Sequence, residues 1–110
     1  MPEILLHYIW QKHLWSGFEQ QTTDGQSIEI ISTGQYNTHA GADFSHAHIR
    51  IGHQEWIGNV EIHIHASDWY KHRHHIDPAY NNTILHVVCK NDQEVYNSAG
   101  EKIIQCELKY

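Results

Sequence analysis

The residues able to do chemistry crowd into the middle of the chain. Ten of the twelve histidines fall between positions 39 and 86. Imidazole is a common metal ligand and an acid or base near neutral pH. Asp43, Glu61 and His63 stand in this region. Glu61 and His63 are two apart, so on a strand both point to one face. An Asp and a Glu brought together on adjacent strands are hard oxygen ligands suited to Mg²⁺ or Mn²⁺. Unscreened, the two carboxylates repel, and a divalent ion relieves that repulsion. A neighbouring histidine can then orient or deprotonate a water.

A second grouping is His72, His74, His75 and Asp77. On a helix His72 and His75 share a face while His74 points away. His72, His75 and one of His63 or His86 then offer a nitrogen set for Zn²⁺ or Ni²⁺. The plainer alternative is a solvated sheet face. In that reading His46, His48 and His53 are surface residues, Asp43 merely starts a strand, and Glu61 pairs with Arg50. His46-x-His48 lacks the downstream Glu and Gly spacing of a cupin, and neither HExxH, GxSxG nor a P-loop occurs. Cys89 and Cys106 fit neither CxxC nor a four-Cys zinc site and read as reduced core thiols. Trp56 and Trp69 read as core or rim anchors.

The elements that must position these groups follow from the hydrophobic pattern. Residues 2–15 form a helix whose apolar face is Leu5, Leu6, Ile9 and Trp10, with Pro2 in its first turn, Glu3 at its positive end and Gly17 beyond it. Residues 18–33 form a hairpin about Asp24-Gly25, and 34–42 a loop. FSHAHIRI (44–51) and WIGNVEIHIH (56–65) form a second hairpin around Gly52–Glu55. Pairing Ile51 with Trp56 puts Ala47, Ile49, Ile51, Trp56, Val60, Ile62 and Ile64 on one face. The other face carries His46, His48, Arg50, Asn59, Glu61, His63 and His65, with His46 opposite Glu61. Residues 67–76 read as a short helix capped by Ser67, with Asp68 at its N-terminal end and Asp77-Pro78 as its stop. TILHVVCK (83–90) and IIQCELK (103–109) read as strands. The expected class is α+β, with one central mixed sheet flanked by an N-terminal helix and a short second helix.

The chain has 110 residues, 40% hydrophobic and 18% charged, which suits one globular domain. Thirteen acidic residues against seven basic ones give a net charge of -6, which argues against tight non-specific nucleic-acid binding. The apolar runs are too short for a membrane helix and the N-terminus shows no secretion signal, so the expectation is a cytoplasmic protein with no membrane contact.

LLHYIW (5–10), TTDGQSIEII (22–31), AGADF with its first Ala at 40, IGNVEIHIHASDWYKHRHHIDPAYNN (57–82) and ILHVV (84–88) carry a likeness along nearly the whole chain. It resembles a bacterial family of unknown function, number 2851 in the domain-of-unknown-function series. Members of that family are longer, which implies a short form or an N-terminal fragment. The pattern is also similar to the PD-(D/E)xK nucleases. That likeness implies a restriction-endonuclease-like fold, metal-assisted attack of water on a phosphodiester and a nucleic-acid partner. Asp43 matches the motif's Asp, with Ala42 in place of Pro. Glu61-Ile62-His63 matches (D/E)xK, with His for Lys. By this likeness Asp43 and Glu61 hold Mg²⁺ or Mn²⁺ with the Ile62 carbonyl, His63 orients the water, and Glu3 is an accessory ligand. The competing expectations are a non-enzymatic transition-metal or protein-binding module built on His63, His72, His75 and His86, and an inactive remnant.

Overall fold

The computed structural model describes residues 1–15, 17–38 and 41–110. His39 and Ala40, within the expected 34–42 loop and the quoted AGADF stretch, lie outside the described residues. Helix α1 spans Glu3–Gln11, followed by strands β1 (Gln20–Gln21), β2 (Ser27–Ser32), β3 (Gln35–Tyr36), β4 (Phe44–Ile51) and β5 (Gln54–His65). Helix α2 (Asp68–Lys71), two 3₁₀ turns (His74–Ile76 and Pro78–Tyr80), β6 (Thr83–Lys90) and β7 (Gln105–Glu107) complete the chain.

The class is α+β with one mixed sheet. The strand order is β1-β2-β4-β5-β6-β7, and β3 pairs beside β2 on β4. β1 to β5 pair antiparallel, whereas β5, β6 and β7 are parallel to one another. The parallel step from β5 to β6 requires a crossover, and α2 with the 3₁₀ turns supplies it. β1 and β7 approach each other, so the sheet is mostly closed: Gln20 Nε2 donates to the Lys109 carbonyl at 2.7 Å and Gln20 Oε1 accepts from the Lys109 N–H at 3.0 Å.

β5 is the central strand and is covered on both faces. Val60 and Ile62, with Leu85 and Val87 beside them, join Leu6, Ile9, Trp10 and Phe44 in the main core. Glu61 and His63 point the other way, with His86, towards a smaller core of Trp69, Val95 and Ile103. Alternation thus makes one strand apolar towards α1 and chemical towards α2.

Several expectations need correction. The helix 2–15 is shorter: it caps on Pro2 and Lys12, and His13 turns left-handed at φ 58°, before Gly17 is reached. Its buried face is Leu6, His7, Ile9 and Trp10, while Leu5 is exposed. The β4–β5 turn is tighter than expected, so Ile51 pairs with Gln54 and Trp56 with Ile49. A two-residue slip preserves the faces of 47–51, which is why alternation alone does not detect it. The second helix breaks at Lys71, and Arg73 is left-handed at φ 60°. Ser67 does not cap it; the Ser67 hydroxyl and N–H donate to Asp92 instead. The last strand is only three residues, 105–107.

Candidate functional site

A bulge in β4 builds the acidic part of the site. Ala47 pairs with Gly58 and Phe44 with Val60, so four residues of β4 oppose three of β5. His46, left-handed at φ 59°, is exposed on the bulge and does not oppose Glu61. The extra residue switches side-chain parity, sending Phe44 into the core and bringing Asp43 opposite Glu61. Gly34 supports this turn. Its φ is +89°, and a Cβ there would sit 2.6 Å from the Ser45 carbonyl oxygen.

Asp43 and Glu61 are locked by each other's backbone. The Asp43 N–H donates to Glu61 Oε1 at 2.9 Å, and the Ile62 N–H donates to Asp43 Oδ2 at 2.8 Å. In a strand a residue's N–H and C=O project to the same side, so the Ile62 carbonyl is directed to the Asp43 side as well. Burial, then the Glu61 carboxylate, pushes the Asp43 carboxyl up to about 7. His7 from α1 faces the pair: its Nε2 is 3.7 Å from Asp43 Oδ2 and 3.4 Å from Glu3 Oε2. Burial disfavours the charged His7 ring, but Glu3 and then Asp43 outweigh it and raise its pKa. Glu3 therefore reaches the site through His7.

On the other side of Glu61, His74 Nε2 lies 3.4 Å from Glu61 Oε2. Beyond it is a nitrogen cluster in which one ring nitrogen each from His63, His72 and His74 lies within 4.8 Å of the others. His63 Nε2 is 3.2 Å from His72 Nδ1, and His63 Nδ1 is 2.8 Å from His86 Nε2. His63 is held neutral, its pKa pushed down to about 2 by burial and then by His86, His74 and His72.

The family model described as Protein of unknown function (DUF2851) matches residues 3–110. The chain belongs to DUF2851. No curated protein and no solved structure matches it.

In this DUF2851 chain the structure brings Asp43, Glu61 and the Ile62 backbone together. His63 points from the same strand face into the histidine cluster, with His74 between it and Glu61. His74 replaces His75 in the cluster, because the helix ends at Lys71 and the reversal at Arg73 turns His74 inward. His75 packs on Tyr70 instead. Arg50 does not pair with Glu61; it binds Glu29 and Glu55. Sequence reasoning missed His7, and it named His74 but set it aside as pointing away from His72 and His75. The signal for His7 was available: Glu3 and His7 are four apart, on one helix face. His74 depends on a helix break that its neighbours do not announce. Two clefts among the described residues lie away from this cluster, one of about 280 Å³ beside Trp56, Ile57 and Asn82 and one of about 240 Å³ beside Asp24 and Lys102. The titratable groups converge instead at the buried carboxylate–histidine seam.

Proposed function

We propose that this DUF2851 chain is a nuclease-like domain that hydrolyses phosphodiesters with Mg²⁺ or Mn²⁺. The observation that carries this reading is the mutual locking of Asp43 and Glu61, two carboxylates held side by side in a largely buried seam. Two buried acids facing each other are costly unless a proton or a cation lies between them, so the residues fit a hard divalent ion. Asp43, Glu61 and the Ile62 carbonyl would hold it, and Glu3 would contribute through His7. Such an ion supplies positive charge that acidifies a water and stabilises charge growing on the phosphate.

The order of elements supports the same reading. A helix precedes the three-strand meander β2-β4-β5, then α2 crosses to β6, parallel to β5. Asp43 precedes the second strand of that meander and Glu61-Ile62-His63 lies on the third. This is the arrangement that the nuclease likeness implies, and it makes the restriction-endonuclease-like fold part of the proposal. His7 and His74 flank the carboxylates at 3.7 and 3.4 Å and are placed to hold or move protons there. His63, tied to His86 and His72, instead supports His74 from behind. The net charge of -6 means that a polyanion binds weakly, so the assay belongs at low ionic strength.

The test is turnover of short single- and double-stranded DNA and of an activated phosphodiester, with Mg²⁺ or Mn²⁺ and with chelator. The reading expects metal-dependent cleavage that Asp43→Asn abolishes. Absence of metal-dependent cleavage, or equal cleavage by Asp43→Asn, would contradict it.

A further inference from the structure

We infer that His63, His72 and His74 form a second metal site, selective for a nitrogen-seeking divalent transition ion of the zinc class, with Gln105 and His86 acting as positioning residues. The reading is independent of the phosphodiesterase proposal.

Gln105 Nε2 donates to the Gln93 carbonyl at 3.0 Å and to Asn91 Oδ1 at 3.2 Å, which fixes the amide's orientation. Gln105 Oε1 then faces His86 Nδ1 at 2.7 Å and accepts its proton. His86 is fully buried, and with its Nδ1–H given to Gln105 the uncharged ring carries a lone pair on Nε2. That lone pair accepts from His63 Nδ1 at 2.8 Å. With Nδ1 donating to His86, the uncharged His63 ring has its lone pair on Nε2, directed at His72 Nδ1. Metal-binding histidines are oriented in this way, by donating the distal N–H to a fixed acceptor.

The cluster has ligand spacing as well as ligand chemistry. A tetrahedral site with metal–nitrogen bonds of about 2.0–2.1 Å places its ligand nitrogens roughly 3.3 Å apart. His63 Nε2 and His72 Nδ1 are 3.2 Å apart. His74 is 7% exposed, and its Nδ1 is buried without a hydrogen-bond partner among the described residues. A buried imidazole nitrogen left in that state is costly, and a ligand would satisfy it. His74 Nε2 lies 3.4 Å from Glu61 Oε2, so a carboxylate stands beside the ring's other nitrogen. His72 is the exposed member, leaving an access route and an open side for water or substrate.

The test is Co²⁺ titration of the untagged, metal-free chain, read by the visible bands of four-coordinate Co²⁺ and by competition with Zn²⁺. The expected result is one four-coordinate Co²⁺ per chain, displaced by Zn²⁺, with affinity reduced roughly tenfold or more in His72→Ala and about 10–100-fold in Gln105→Met. Circular dichroism checks that each variant is folded; His72, being exposed, is the variant that keeps the test decisive if Gln105→Met is not. Nitrogen NMR of the metal-free protein should show His63 protonated at Nδ1. Asp43→Asn should retain the Co²⁺ bands even where it abolishes hydrolysis, which separates this site from the carboxylate pair. Absence of the bands in the wild type, or bands unchanged by His72→Ala, would overturn the site, and an Nε2-protonated His63 would overturn the positioning role.

Discussion

Ionisation of Asp43 works against folding, while its neighbours across the seam respond to pH in the opposite sense. Asp43 moves from 3.8 in the open chain to about 7 in the fold, through burial and Glu61. His63 and His86 move from 6.5 down to about 2 and about 4, through burial and the surrounding rings. Between roughly pH 4 and 6.5 the unfolded chain protonates both histidines and ionises Asp43, and the folded chain does the reverse. Folding there releases two protons and takes up one. Stability should rise with pH across that window with a net slope of about one proton, and in Asp43→Asn the slope should approach two. Urea denaturation of the metal-free protein at several pH values reads this directly, and equal slopes would refute the assignment of the raised carboxyl. Trp69 gives a second residue-scale expectation. It is fully buried against His74, His86 and Tyr80, so Trp69→Ala should cost about 3–5 kcal/mol and disorganise the histidine cluster with it.

At the scale of elements, the bulge in β4 decides where the acid goes. The sequence makes the strands legible: alternation in 44–51 and 56–65, the Asp24-Gly25 turn and the apolar run at 83–88 all appear as elements. It also makes the meeting of Asp43 and Glu61 legible, because Asp43 begins the strand that pairs with the strand carrying Glu61. The bulge itself is not legible, since inserting one residue at Ser45–His46 leaves the hydrophobic alternation of Ala47, Ile49 and Ile51 intact. Nor is the break after Lys71, where tertiary packing of Trp69 and His74 overrides a sequence that reads on as helix. Gly34 is the test of the bulge. A Cβ there meets backbone and a left-handed φ, whereas Gly25 has a left-handed φ but open space. Gly25→Ala should therefore cost about 1–2 kcal/mol, the left-handed penalty alone. Gly34→Ala should cost clearly more and weaken metal binding at Asp43, as measured by denaturation and titration of the two variants side by side.

For the whole molecule, near-closure of the sheet ties its two edge strands together. The Gln20 side chain spans β1 and the stretch after β7 by bonding both the N–H and the carbonyl of Lys109, and it is 2% exposed. Gln20→Ala leaves those groups without their partner and should cost about 1–3 kcal/mol, with faster amide exchange across β1 and β7. Closure holds β5 between β4 and β6, and β5 carries the groups that link the acidic pair to the histidine cluster. The most direct test of the account is calorimetric titration of Mn²⁺ into the wild type and Glu61→Ala. The account predicts binding in the wild type that disappears in the variant; absence of wild-type binding, or binding unchanged by Glu61→Ala, would contradict it.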